Sequence, residues 1–302
     1  MTARILDGEV LAARIKDNLK IEIELLKKKG TMPRLCAVQV GENPASNVYT
    51  NQQKKNCEEM GISYELNTLP QDTSQDELIE YIEKLNNNKN INGIILQMPL
   101  PQQIDARAIQ VKISPSKDVE GLHPANMGML VYGNQRLAPP TALGAIELLK
   151  SSGVDLKGRE VVIVGHSEIV GKPVALLLLQ SQLESPTPTV CHIATKDLAF
   201  HTKRAEILIV AAGKAGLIRG DMIREGAIVI DIGINRVPVL DEKGNPVLND
   251  KGKPKKRTVG DVEFEEAEKV CSYISPVPGG VGPLTVAMLI RNTLECVKLQ
   301  QS

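Results

Sequence analysis

The 302 residues are about twice a typical domain length, so two domains are the default expectation. Apolar residues at 42% and charged residues at 24% are the mix of a soluble globular chain. No apolar run reaches the roughly 18 residues of a membrane span, MTARILDGEV lacks the basic start and apolar centre of a secretory signal, and Lys+Arg balances Asp+Glu at 36 each, so neither a nucleic-acid nor a membrane partner is expected and a cytoplasmic location is. The five cysteines, Cys36, Cys57, Cys191, Cys271 and Cys296, are scattered without a CxxC pair and read as reduced thiols, mostly in the core. Aromatic residues are only 2%. The core must therefore be aliphatic, which suits the Val/Ile-rich strands of a parallel sheet.

In chain order, a helix pattern runs from Glu9 to Lys28, with Leu11, Ile15, Leu19, Ile23 and Leu26 on one stripe. A strand over Leu35–Val40 leads into a polar helix, Ser46–Gly61, that Tyr49 heads. A strand near Ser63–Leu69, a helix near Gln75–Leu85 and a buried strand over Ile91–Gln97 follow, and Pro99 and Pro101 stop the last. Pro115–Ala125, PSKDVEGLHPA, reads as loop. A second series begins after Pro139-Pro140: a helix over Thr141–Ser151 with Thr141 as its cap, then a strand at Glu160–Val164. A helix at Ile169–Leu179 and a strand at Thr189–His192 come next, then buried strands at Ile207–Ala211 and Ala227–Ile232. The polar stretch between Arg236 and Arg257 carries a near-repeat, DEKGNP and NDKGKP, and reads as a surface excursion or hairpin. A short helix over Glu263–Val270, a strand over Ser272–Ser275 and a last helix opening at Pro283 end the chain. That last helix is expected to pack back onto the first domain. The alternation predicts an α/β protein with right-handed βαβ crossovers and parallel sheets.

Several stretches could carry chemistry. In the Tyr49 helix, Gln52 and Gln53 share Tyr49's face, whereas Lys54 and Lys55 lie roughly 140° and 120° around it; the helix is either a solvated surface helix or a wall that faces something. VVIVGHSEIVGKP, Val161–Pro173, is a strand ending in Gly165 before a helix, the setting in which backbone N–H groups bind phosphate. Its spacing is not G-x-G-x-x-G, so an ordinary strand–turn–helix stays open. The next strand ends at Cys191-His192-Ile193, without the acid that usually holds an NAD ribose, which leans towards a 2′-phosphorylated cofactor. Ala212-Gly213 and Gly233-Ile234-Asn235 sit at strand C-terminal ends, the edge at which open α/β sheets bind ligands, or are simply turns. PVPGGVGP, Pro276–Pro283, is stiff and suits a cofactor wall or an interdomain joint. Gln97 needs a polar partner if buried. Asp118 and Glu120 alternate, so one of them can face a cleft. No metal-ligand spacing occurs.

Together these segments resemble the bifunctional methylenetetrahydrofolate dehydrogenase/cyclohydrolase family over essentially the whole chain. The matching motifs are Val40-Gly41 with Ser46-x-x-Tyr49, Gln97-Met98-Pro99-Leu100-Pro101, Pro115-x-Lys117-Asp118-Val119, Gly165-x-Ser167-x-x-Val170-Gly171-x-Pro173, Asp231-x-Gly233-Ile234-Asn235, Gly260-Asp261-Val262 and Pro276–Pro283. The resemblance implies a homodimer of an enzyme of one-carbon metabolism, with two α/β domains around a cleft. Residues 1–138 would form a folate-binding domain, completed by a helix over 283–302, and 139–282 a Rossmann-like NADP-binding domain. Folate would stack on Tyr49 and meet Gln97, Pro99, Leu100, Asp118, Glu120, Pro278, Gly279 and Gly280; Tyr49, Gln53, Gln97 and Glu120 would do the chemistry. NADP would lie along Gly165, His166, Ser167, Val170, Gly171 and Pro173 and also meet His192, Ile193, Ala212 and Gly213, with its nicotinamide near Ile234 and Thr285; the positions of His166 and Ile193 can touch its 2′-phosphate. Hydride would pass from 5,10-methylenetetrahydrofolate to NADP, and the methenyl cation would be hydrolysed to 10-formyltetrahydrofolate.

The chain departs from the family pattern at informative places. The family's lysine, four residues after the tyrosine, is Gln53 here, and collinearity with Cys57-Glu58-Glu59-x-Gly61 leaves no register in which Lys54 replaces it. The second acid of Lys-Asp-Val-Asp-Gly is Glu120. The usual Pro-Cys-Thr-Pro is Pro139-Pro140-Thr141-Ala142. His166 stands where some members have arginine, and Ile193 where some have serine, so NAD in place of NADP is a live alternative. Glutamine cannot titrate, so the hydrolase half is expected to be weak or lost while the dehydrogenase survives. The other readings are a dehydrogenase alone, a silent folate- or nucleotide-binding subunit, and a shikimate-type dehydrogenase, against which QMPLP and PVPGGVGP speak.

Overall fold

The computed structural model describes residues 2–42, 44–241, 245–248 and 252–301, without the side chains of residues 44–49. Its elements are β1 (Arg4–Ile5), α1 (Gly8–Lys28), β2 (Arg34–Val40), α2 (Pro44–Met60), β3 (Ser63–Leu69), α3 (Gln75–Asn87), β4 (Gly93–Leu96), α4 (Ala106–Gln110) and α5 (Pro124–Val131). They continue as α6 (Pro140–Lys150), β5 (Glu160–Val164), α7 (Gly171–Leu178), β6 (Thr187–Cys191), α8 (Leu198–Thr202), β7 (Ile207–Val210) and β8 (Ile228–Asp231). The chain closes with β9 (Asn235–Pro238), β10 (Lys256–Val259), α9 (Phe264–Ala267), β11 (Tyr273–Ile274) and α10 (Val281–Gln301).

Two compact units divide the chain, one of residues 1–11 with 141–284 and one of 12–140 with 285–302. The first holds a six-stranded parallel sheet in the order β1-β11-β8-β7-β5-β6. Val161–Val164, Ile207–Val210 and Ile228–Ile230 are buried on both faces, as the unbroken apolar runs predict for a parallel sheet. β9 and β10 pair antiparallel, the hairpin expected of the polar excursion. Within its near-repeat, residues 242–244 and 249–251 lie outside the described residues.

The second unit is a three-stranded parallel sheet, β3-β2-β4. One face carries Cys36, Val38, Val40, Ile94 and Leu96 with the buried residues of α3. The other carries Leu35, Ala37 and Ile95, covered by Leu19, Ile23 and Leu26 of α1, Cys57 and Met60 of α2 and Leu289, Ile290 and Leu294 of α10. All five cysteines are free and buried.

The structure departs from the sequence reading mainly at element ends. Residues 2–11, read with the first domain, lie in the other unit because β1 pairs with β11 and Leu6 N–H donates to Ile274 O. Pro140, not Thr141, opens α6: its missing N–H costs nothing in a first turn. α7 starts at Gly171, two residues later than expected, because Ser167 folds back to accept from Val170 N–H. α10 starts at Val281, before Pro283. α4 and α5 were not expected; Asp105 and His123 cap them, each accepting a backbone N–H with its side chain.

Candidate functional site

In the first unit, β5, β6, β7 and β8 run parallel and present their C-terminal ends at one edge, so the loops after them share that edge. The turn after β5 is closed by glycine. Gly165 has φ +123, and a Cβ there would run into Ala211 O; a Cβ on Gly171 would run into Gly165 O. Strand end, turn and helix start thus lie in direct backbone contact, which only glycine permits. His166 and Ser167 are exposed, and Pro173 is buried in α7. His166 meets His192 edge-to-face at 4.8 Å, with the exposed Ile193 beside it. Ala212 and Gly213 follow β7, and the exposed Ile234 follows β8.

Two carboxylates hold these loops together. Asp231, at the end of β8, is buried and accepts from Gly233, Asp261 and Val262 N–H at 2.9–3.1 Å. Asp261 accepts from Ala212 and Gly213 N–H at 2.6 and 2.8 Å and from Asn235 Nδ2 at 2.8 Å. A Cβ on Gly233 or Gly260 would strike one of these carboxylates, so the glycines and aspartates of DIGIN and GDV are one packing unit. Burial pushes Asp231 up to about 7, against the opposing pull of its three N–H donors. The sequence reading quoted both motifs but gave neither aspartate a role. A glycine within two residues of each acid, Gly233 after Asp231 and Gly260 before Asp261, was the available signal.

The Pro276–Pro283 segment follows β11. Gly279 has φ +106 and its O accepts from Gly8 N–H at 2.9 Å. A Cβ on Gly8 would strike Gly280 O, so the first residue of α1 is glycine for the loop's sake. Pro278, Gly279 and Gly280 therefore belong to the first unit, and Thr285, expected near the cofactor, to the second.

In the second unit, α2 turns Thr50, Gln53, Cys57 and Met60 inwards at helical spacing, all nearly fully buried. Lys54 and Lys55 are exposed and pair with Glu58 and Glu59 at 3.9 and 3.8 Å. Gln53 is 3% exposed. Its Oε1 accepts from Gln97 Nε2 at 2.9 Å and from the Tyr64 hydroxyl at 3.1 Å. Gln97 follows β4 directly, anchored by its own N–H to Val38 O, and is the polar residue whose partner the sequence left unnamed. Gln39, on the same face of β2 as Ala37, donates to Gly41 O, while its Oε1 is buried with no partner. Neither Gln39 nor Tyr64 was singled out from sequence. Tyr49 lies in the second turn of α2, which begins at Pro44, and its side chain lies outside the described residues.

The acidic loop separates its two acids. Asp118, expected to meet substrate, is buried and spent on its own loop, accepting from His123 N–H at 2.7 Å and Asn126 Nδ2 at 3.0 Å. Val119 O and Ala138 O both accept from Asn292 Nδ2 of α10. Gly121, φ +64, lies against the Ala138 backbone, where a Cβ has no room. Glu120 is half-buried: desolvation, and after it the neighbouring Asp118, push it up to about 8 against a backbone hydrogen bond at Leu96. Pro99 is exposed, and Leu100 half-buried against the α3 core. Among the described residues no group of three or more His, Cys, Asp or Glu is placed to hold a metal ion, and no helix is long and apolar enough to cross a membrane.

A glycine-packed strand–turn–helix on a parallel sheet, with a second α/β unit bearing a buried amide pair, defines a two-domain nucleotide-binding enzyme class. Residues 139–301 match the NAD(P)-binding domain of tetrahydrofolate dehydrogenase/cyclohydrolase, and residues 6–120 match its catalytic domain. The chain is 47% identical over 300 residues to the bifunctional protein FolD of Acetivibrio thermocellus, covering 99% of each. Among solved structures it is similar to the bifunctional FolD of Campylobacter jejuni, at 44% identity and TM-score 0.88, over 98% of this chain and 99% of that one. It is also similar to the Trypanosoma brucei methylenetetrahydrofolate dehydrogenase-cyclohydrolase, solved with NADP and an inhibitor, at 38% identity and TM-score 0.88, over 99% and 98% of the two chains. The chain belongs to the tetrahydrofolate dehydrogenase/cyclohydrolase family.

Asp231→Asn leaves one backbone N–H facing an amide N–H in a dry loop. It should lower the unfolding free energy by ~1–3 kcal/mol in urea titration; unchanged stability would refute the bracing role.

Proposed function

We propose that the chain oxidises 5,10-methylenetetrahydrofolate to methenyltetrahydrofolate with NADP, and that the coupled hydrolysis to 10-formyltetrahydrofolate is slow. Family membership supports the first half. One observation carries the second: the inward position of α2 is a buried, neutral Gln53 bonded to Gln97, with Lys54 and Lys55 turned to solvent.

The first unit's residues fit a dinucleotide. Gly165 and Gly171 keep side chains out of the turn, and Gly213 has open space where a Cβ would stand. Gly165, Ser167, Val170, Gly171 and Pro173 are assigned to the phosphates, and Ala212, Gly213 and Ile234 to the nicotinamide half. β6 ends without an acid to hold a ribose diol, and the exposed His166 and His192 offer donors to a 2′-phosphate. That favours NADP over NAD. Bound NADP supplies the hydride acceptor.

Folate is assigned to Tyr49, Gln97, Pro99, Leu100 and Glu120 of the second unit. Loss of hydride leaves a cation shared by two folate nitrogens. Fixed carbonyl dipoles stabilise such a charge without moving a proton. Hydrolysis of that cation needs an activated water and proton transfers, which a glutamine cannot perform. Gln53→Lys should therefore raise methenyltetrahydrofolate hydrolysis, towards the ~10²–10⁴-fold that a positioned acid/base supplies. Fast wild-type hydrolysis, unchanged by the substitution, would sink the proposal. A silent binding subunit would instead reduce no NADP.

Glu120 gives a pH signature. The pteridine edge offers N–H donors, which a carboxylate accepts and a carboxyl group meets only in part. Because Glu120 sits near 8 in the free protein, the folate KM should fall as pH rises towards 8 and level off above it, by at most about tenfold per unit. Glu120→Gln should flatten the profile; a KM that rises with pH in the wild type would contradict the assignment.

A further inference from the structure

The Gln53–Gln97 pair has a third member that no functional assignment covers. Tyr64 stands on β3, its ring against the Leu35, Cys57 and Met60 cluster and its hydroxyl 3.1 Å from Gln53 Oε1. We infer that Tyr64 is a positioning residue: its phenol proton, given to Gln53 Oε1, fixes the direction of the amide relay so that Gln97 turns its carbonyl oxygen, not its NH2, to the substrate.

A phenol has one proton to give. Among the described residues Gln53 Oε1 is its acceptor, and burial raises the Tyr64 pKa, so it stays a donor at any working pH. The amide oxygen has two lone pairs, and Gln97 Nε2 takes the second at 2.9 Å. With its nitrogen thus committed, Gln97 is left with an Oε1 that accepts no hydrogen bond among the described residues. The inverted relay, with Gln53 Nε2 donating to Gln97 Oε1 and to the phenol oxygen, leaves the phenol proton without an acceptor beside an apolar cluster, which is the costlier arrangement. Without the hydroxyl the two directions come close in energy, and Gln97 presents its NH2 for part of the time.

The direction matters because hydride departure creates positive charge. A carbonyl dipole facing that charge lowers the barrier; an NH2 facing it raises it. The inference rests on the proposed folate site, in which Gln97 meets the substrate.

The experiment is a double-mutant cycle between Tyr64→Phe and Gln97→Met, read as dehydrogenase kcat and folate KM. Tyr64→Phe removes one oxygen and keeps the ring in its cluster. It should lower kcat about threefold to tenfold, the worth of one hydrogen bond, with KM within about twofold, because the interaction develops with the charge. In the Gln97→Met background the same change should cost nothing further. Gln53→Leu cuts the relay from the other side and should match the kcat loss, which keeps the test decisive if Tyr64→Phe folds poorly. Equal losses from Tyr64→Phe in both backgrounds, or full activity in Tyr64→Phe and Gln53→Leu, would overturn the inference alone. If Gln97→Met leaves kcat and KM unchanged, the folate site itself is misassigned and the inference falls with it.

Discussion

Burying an amide costs least where its polar atoms find partners, and in the second unit the Gln53 oxygen takes two hydrogen bonds at once. Gln53 comes from a helix and Gln97 from the end of β4; Tyr64, on β3 at the other side of the central strand, closes the set. For Gln53 to reach them, α2 must present Thr50, Gln53, Cys57 and Met60 to the sheet. That rotation sends Lys54 and Lys55 to solvent, where each gains only a weak ion pair with a glutamate one turn on. The chemistry available at this site thus follows from helix phase: neutral dipoles inside, titratable amines outside. A site made of dipoles stabilises charge that develops in place. It is poorly equipped to carry protons.

The first unit solves its own loop problem with carboxylates. Asp231 collects backbone N–H groups from the loops after β8 and β10, and Asp261 from the loop after β7 together with the Asn235 side chain, and the glycines around them exist because the carboxylates leave no space for a Cβ. The loops assigned to the cofactor are therefore held by groups that need not touch it. Asp118 does the same in the second unit, braced by His123 and Asn126, while Glu120, two residues on, is half-buried and pushed by desolvation up to about 8. One short acidic motif thus splits into an acid committed to its own loop and one assigned to the substrate.

The buried strands and the long helices were legible because their periodicities are strong: Leu11 to Leu26 falls on one stripe, and Ile207–Val210 is unbroken apolar sequence. The sharing of one helix face by Tyr49 and Gln53 was also legible, but not whether that face turns inwards, which the packing of α2 on the sheet decides. The alternation of Asp118 and Glu120 showed that they part company but not which one turns inwards, since that depends on Asn126 and on the Asn292 contact from the far end of the chain. Tyr64 read as one residue in a half-buried strand, because its partner is set by the packing of α2 across β3. β1 was invisible: two residues long, it is a strand only through β11, far away in sequence. Local pattern reports periodicity well; it reports badly on contacts made by single residues across long separations.

Hydride transfer at this site with hydrolysis lagging behind is tested by following both products in one reaction. With purified protein, NADP and 5,10-methylenetetrahydrofolate, methenyltetrahydrofolate should build up nearly mole for mole with NADPH, and 10-formyltetrahydrofolate should appear no faster than in a protein-free control. Formation of 10-formyltetrahydrofolate in step with NADPH, with no methenyl intermediate accumulating, would contradict the account.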